Sequence, residues 1–383
     1  MVRCTTARVD LPALESNFTS IRAYLAKESG LNRSAGRGPA IAPGIIAVVK
    51  ANAYGHGARR VAAALESAGA TMLAVADIEE GVDLRRSGVR APILVFGALS
   101  VSDLDGVFDY DLTPTISSPA AGQAVQLGAR KRGATLHYHL KVDTGMNRLG
   151  FRHDNLRRTL PELLASTNLA IDAVHTHFGA ADDPGSTSFE TQRTRFEAAC
   201  RTLDELGAGP RLRHAANSAA LLRDSRVWFD FVRPGLLLYG LVPPPLGSTL
   251  PLKPVMSLTS QVVAVKGIRT GESVGYGGRF IADRPVTLAV IPAGYADGLD
   301  RRLENHGLVL IRGQRAKIVG AVSMDMLTAD VTDIEAVGPG DEVVFLGSQG
   351  DNSIDAREMA DWIGTIPYEI LCRLGSRVER KYE

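Results

Sequence analysis

Residues 44–57 read GIIAVVKANAYGHG, an apolar, β-branched run that ends on Lys50 and passes at once into a turn of small residues. The run 45–49 has the length and composition of a buried strand, and Val61, Ala64, Leu65 and Ala68 then recur at helical spacing after Gly57. A strand, a short loop and a helix form half of a βαβ unit, so the fold depends on how often the unit recurs. Further candidate strands lie at 72–76, 93–96, 112–116, 136–142, 171–177, 211–216 and 231–238, most of them separated by helix-length segments. Eight strands in this alternation predict a parallel (β/α)8 barrel rather than an open doubly wound sheet. Upstream, Asp10 is a candidate cap with Pro12 in the first turn. Leu14, Phe18, Ile21 and Leu25 mark the buried face of a helix that precedes a Ser/Gly/Pro loop over 29–44.

The texture changes past the proline-rich break LVPPPLGSTLPLKP, 241–254. Segments such as LTSQVVAVKGI, PVTLAVIPAG, GLVLIRGQRAKIVGAV and GDEVVFLG are short, β-branched and punctuated by glycine, which predicts an antiparallel β domain. The expected organisation is a barrel over 10–245 and a mostly-β domain over 246–383, joined by the N-terminal segment 1–9.

Composition narrows the function class. A chain of 383 residues, 45% hydrophobic, can bury two cores. Lys and Arg number 43 against 42 Asp and Glu, and no basic block stands out, which gives nucleic acid no electrostatic foothold. The N-terminus lacks the apolar core of a secretory signal, and no run approaches the roughly 18 apolar residues that span a bilayer. Cys4, Cys200 and Cys372 are too few and too far apart for a disulfide framework. These features predict a cytoplasmic enzyme that acts on a small molecule.

Barrel enzymes place their chemistry at the carboxyl ends of the strands. Here those ends carry Lys50, Lys141 with Asp143, His177, Asn217 with Ser218, and Arg233 near the start of the last segment. In HAANSAALLRD, 214–224, Ser218 is a candidate helix cap at a phosphate site, Gly235 allows close backbone approach, and Tyr54 offers a third contact. A lysine beside a phosphate pocket suggests pyridoxal 5′-phosphate (PLP), whose aldehyde forms an imine with a lysine amine.

The chain resembles the bacterial alanine racemase family along nearly its whole length. The matching motifs are AVVKANAYGHG, LKVDTGMNRLG, THFGAADDP, HAANSAA, VRPGLLLYG, VGYGGRF, PAGYADG, SMDM and TIPYEIL, in family order. The resemblance implies a PLP-dependent isomerase that interconverts L- and D-alanine and supplies D-alanine for peptidoglycan. Lys50 would hold PLP. Tyr54 and Ser218, with main chain near Asn217 and Gly235, would bind its phosphate, and His177 would pack by the ring. Arg148 would contact the ring phenolate oxygen and the substrate side. Arg233 would face the ring nitrogen, and a guanidinium, effectively always protonated, cannot hand that nitrogen a proton.

Inverting the α-carbon needs a second acid/base opposite Lys50, and in the family it is a tyrosine of the other subunit, which matches Tyr276. Tyr295 and Met324 would shape the substrate entrance and carboxylate pocket across an obligate homodimer. Lys141 matches a lysine that many members carry as a carbamate. Ser376 falls where some relatives have a tyrosine, which opens a broader amino-acid racemase as the alternative.

Three rival readings stand beside this one. HYH, 137–139, and HTH, 175–177, each set two histidines on one face of a strand, as a metal-dependent barrel hydrolase would require. A single-barrel PLP carrier would end near residue 240. A decarboxylase of shared fold would need its catalytic cysteine, and its motif is not found around Cys372.

Overall fold

The computed structural model describes residues 4–34, 42–99 and 104–383. It divides into two compact units: residues 13–53 with 58–253, and residues 1–12 and 54–57 with 254–383.

The first unit is a closed parallel barrel. Its strands are β1 (Gly44–Val48), β2 (Met72–Val75), β3 (Ile93–Val95), β4 (Thr113–Ile116), β5 (Leu136–Asp143), β6 (Leu169–His175), β7 (Leu212–Asn217) and β8 (Phe231–Arg233). Each pairs with the next, and β8 pairs with β1 through Phe231 opposite Gly44 and Val232 opposite Ile45, which removes both sheet edges. The alternation read from the sequence thus gives the barrel it predicts.

Most strand boundaries shift by a residue or two, and two strand ends change what the rim carries. The eighth segment, expected to be extended over 231–238, ends at Arg233. Pro234 brings no amide to the ladder, and Leu236–Tyr239 winds into a 3-10 turn closed by Gly240 at φ 85°. The sixth strand stops at His175, which leaves His177 on the loop beyond it.

The first helix, Leu11–Ser34, runs longer than expected, so residues 29–34 are helical, while 35–41 of the expected loop lie outside the described residues. Leu14, Phe18, Ile21 and Leu25 are all buried. At roughly 1.5–3 kcal/mol each, this burial outweighs the roughly 1 kcal/mol that Gly30 costs in the helix. Asn17, on the same helix, donates to the carbonyls of Leu238 and Lys253 and accepts from the Lys253 amide, which fixes the chain where it leaves β8.

The second unit is built on an antiparallel sheet. Met256–Gln261 pairs with Glu342–Gln349, and Ala264–Ile268 with Val286–Ile291. Leu308–Ile311 folds back on Gln314–Ile318. That hairpin turns on Arg312 and Gly313, both at positive φ, the conformation a two-residue loop needs to match strand twist. The N-terminal strand Thr6–Val9 joins the same sheet between Met256–Gln261 and Glu379–Tyr382. No helix among the described residues is long and apolar enough to cross a membrane.

Candidate active site

The rim of the barrel gathers cations. Lys141, buried on β5, titrates at about 8, lowered first by burial and then by Arg148, Arg233 and Lys50, with Asp143 opposing. His177 is held well below its ordinary value by burial and then by Arg233, Lys141, Lys50 and Arg148. The ends of β1, β5, β6 and β8 therefore converge. The carboxylate that offsets them is already engaged, since Asp143 Oδ1 accepts from the amides of Gly145 and Asn147. Gly150 closes the same loop at φ 126°, where a Cβ would lie 2.6 Å from the Asp143 nitrogen.

Arg233 is buried, and burial lowers it to about 9, so it stays charged at neutral pH. Its Nη2 donates to the carbonyls of Thr176 and Ala215, at 2.8 and 2.9 Å, and to His177 Nδ1 at 3.3 Å. Its Nη1 donates to His214 Nδ1 at 2.9 Å. A guanidinium only donates, so His214 carries its proton on Nε2 and passes it to His139 Nδ1 at 3.0 Å. One cation thus sets the tautomers of two histidines. His139 is lowered to about 4 and His214 well below its ordinary value, both first by burial, so both are neutral. His175 stacks on His214 at 4.7 Å and 7°, with neither ring nitrogen hydrogen-bonded.

The two histidines of HYH face different surroundings. His137 meets Asp172 at the exposed start of β5, at 2.8 Å, while His139 turns to His214 inside the barrel. Among the described residues no three His, Cys, Asp or Glu stand where they would hold a metal ion.

At β7 the cap is Asn217 rather than Ser218. The Asn217 side-chain oxygen accepts from the Ala220 amide at 2.9 Å, because it sits one residue earlier and reaches the third helical amide. Ser218 instead ties β7 to β8: its Oγ accepts from the amides of Gly235 and Leu237, at 2.9 and 3.5 Å. The Gly235 amide expected to face a phosphate is therefore directed at Ser218. The serine retains its own hydroxyl proton to donate.

The turn after Lys50 is left-handed. Ala51, Asn52, Ala53 and Tyr54 have φ of 54°, 52°, 54° and 52°, in a stretch without glycine. Such backbone costs about 1–2 kcal/mol per residue, so it persists only where its surroundings hold it. Ala53 donates to the Val49 carbonyl at 2.8 Å, and the Val48 carbonyl accepts from the buried Tyr239 hydroxyl at 3.0 Å.

Sequence reading missed Gln192, buried on the helix Ser188–Glu205. It donates to the His177 carbonyl and to Thr144 Oγ1 and accepts from the Gly179 amide, which fixes the loop that carries His177. A long-range helix glutamine has no local signature.

In the second unit Tyr54 is buried and lies 5.9 Å from Tyr368. Burial, with Tyr368 and Cys372, raises its pKa, which keeps the hydroxyl protonated. Tyr276 opens a 3-10 turn between Gly275 at φ 71° and Gly277 at φ 75°, and it is 77% exposed. Tyr295 and Met324 sit on adjacent turns, because the amides of Tyr295 and Ala296 donate to the carbonyls of Ser323 and Met324. Both side chains are exposed, as is Ser376.

Comparison with known proteins gives the family and the fold. The family model for the alanine racemase N-terminal domain matches residues 9–243, and that for the alanine racemase C-terminal domain matches 255–382. Alanine racemase of Carboxydothermus hydrogenoformans is 43% identical over 340 residues, 88% of this chain and 91% of its own. That of Symbiobacterium thermophilum is 41% identical over 383 residues, 100% of this chain and 97% of its own. Among solved structures, alanine racemase from D-cycloserine-producing Streptomyces lavendulae superposes with a TM-score of 0.92 at 32% identity, covering 100% of this chain and 98% of the other. The Bacillus anthracis enzyme with bound L-Ala-P gives 0.89 at 34%, covering 100% and 96%. The chain belongs to the alanine racemase family of isomerases.

Proposed function

We propose that the chain interconverts L- and D-alanine with PLP as cofactor, as a cytoplasmic homodimer that supplies D-alanine for peptidoglycan. The observation that carries the reading is the cluster of Lys50, Arg148 and Arg233 on one rim, with Lys141 among them, a field suited to a phosphate and an amino-acid carboxylate. The donor set fits the cofactor: Ser218 has a proton to give, and the described partners of Arg233 are all neutral. PLP, when bound, supplies an electron sink for the substrate α-carbon.

The chain's own residues do the rest. Lys50 holds the cofactor and moves a proton at Nζ on one face of the α-carbon. Tyr276 of a second copy moves the proton on the other face, and its exposure leaves it open to such a copy. Ser218, Tyr54 and main chain at Asn217 bind the phosphate, with the Gly235 amide orienting the Ser218 hydroxyl, Arg148 binds the ring oxygen, and His177 packs beside the ring. Arg233 faces the ring nitrogen as a cation with no proton to give at neutral pH. Tyr295 and Met324 shape the substrate pocket, and the exposed Ser376 leaves room for larger amino acids.

Lys141 is carbamylated in this reading. With a pKa of about 8, about one amine in ten is neutral at pH 7 and able to attack carbon dioxide, forming the N–C bond and releasing one proton. The anion then holds Arg148 by charge-assisted hydrogen bonds. Activity is expected to fall in carbon-dioxide-depleted buffer and to return with bicarbonate; unchanged activity overturns the assignment.

The function is tested by incubating PLP-loaded protein with D-alanine and following L-alanine, beside Lys50→Ala and beside serine, lysine and arginine as substrates. Full activity without Lys50, or activity abolished by a metal chelator, sinks the proposal.

A further inference from the structure

The left-handed turn after Lys50 is held at its start by one distant side chain. Glu80 Oε1 accepts from the amide of Ala51 at 2.6 Å and from that of Asn52 at 3.4 Å. Its other oxygen accepts from the amide of Ala76, just past β2, at 2.8 Å. Glu80 lies in the first turn of the helix Ile78–Arg86, and its own amide donates to the capping carboxylate of Asp77 at 2.9 Å. At the other end of the turn, Asn52 Oδ1 accepts from the amide of Ala58, the first residue of the following helix. The carboxylate therefore ties the ends of β1 and β2 together, and it grips the two peptide groups that follow the lysine.

We propose that Glu80 is a positioning residue for Lys50. An ionised carboxylate accepts from amides more strongly than a neutral oxygen does, and it accepts at both ends at once. The amides of Ala51 and Asn52 point at it only while the backbone is left-handed, so the grip selects that conformation over the extended or right-handed ones these residues otherwise prefer. The direction in which the Lys50 side chain leaves the rim follows from the same peptide planes. The described contacts of the Glu80 carboxylate are with backbone amides, so it acts through the backbone beside Lys50.

The proposal rests on Lys50 being the cofactor lysine, and its test separates the two claims. Glu80→Ala and Glu80→Gln are compared with wild type by steady-state kinetics, by the rate at which apo-protein gains visible absorbance on adding PLP, and by hydrogen exchange of a peptide covering 49–58. The alanine variant is expected to lose on the order of 10²-fold in kcat with KM nearly unchanged, as for a reacting group displaced by about an ångström. It is also expected to bind PLP through Lys50 more slowly and to exchange faster in 49–58 alone. Glutamine keeps one acceptor but presents a donor to an amide, so it is expected to fall between. Should the alanine variant not fold, the glutamine variant carries the test alone. Wild-type kcat and wild-type exchange in 49–58 for either folded variant overturn the proposal. So does a loss of kcat accompanied by faster exchange throughout the barrel. A wild-type protein that gains no Lys50-dependent absorbance refutes the cofactor reading instead, while the exchange measurement still judges the grip.

Discussion

Lys50→Ala and Tyr276→Phe are each expected to cost on the order of 10²–10⁴-fold in kcat, the range for loss of one acid–base group, yet a mixture of the two chains is expected to recover activity. Each homodimer of a variant carries the same defect at both sites. If a site draws Lys50 from one chain and Tyr276 from the other, a mixed dimer holds one site with both defects and one with neither. Random reassortment makes about half of the dimers mixed, so about a quarter of the wild-type rate returns. Recovery requires the chains to exchange, so the mixture is best unfolded and refolded together, with each variant treated alone as the control. No recovery, with mixed dimers demonstrated by differential tagging, would show that both groups come from one chain.

Acid is expected to unfold the barrel steeply below about pH 6. His139 titrates at about 4 against 6.5 for an unburied histidine, and His175, His177 and His214 are also held well below that value, in each case first by burial. Lowered values mean that the unfolded chain binds protons the folded barrel refuses. The stability is therefore intact above about pH 6.5 and is lost as pH falls toward the folded values. Each such histidine contributes a slope of about 1.4 kcal/mol per pH unit, so four acting together reach about 5 kcal/mol per unit. His139 alone accounts for about 3 kcal/mol between 6.5 and 4. Urea midpoints of apo-protein at one protein concentration, measured from pH 7.5 to pH 4.5, check this; midpoints independent of pH would refute it.

The barrel was legible because its signal is repeated: a short strand recurs eight times, with helix-length segments between most of them. Lys50 and Arg233 were legible because they interrupt or end apolar runs where a barrel keeps its chemistry. The end of β8 was not, since VRPGLLLYG reads as one apolar run until Pro234 is seen to withdraw its amide from the ladder. The cap at Asn217 was misread by one residue because asparagine and serine are near-equivalent caps, and only the route taken by the Ser218 hydroxyl separates them. Glu80 and Gln192 stayed hidden for another reason. Their partners are backbone groups, which carry no residue identity, and lie 29 and 15 positions away. The histidines of HYH and HTH read as candidate metal ligands, because a tautomer is set by neighbours in space and not by spacing along the chain.

The hydrogen bonds from Arg233 through His214 to His139 all point one way. A proton entering that series from the rim would have to leave a guanidinium titrating at about 9 for an imidazole held far lower, which is steeply uphill. The interior thus acts as an insulator rather than a wire. A proton held at the rim therefore stays there instead of passing down this series.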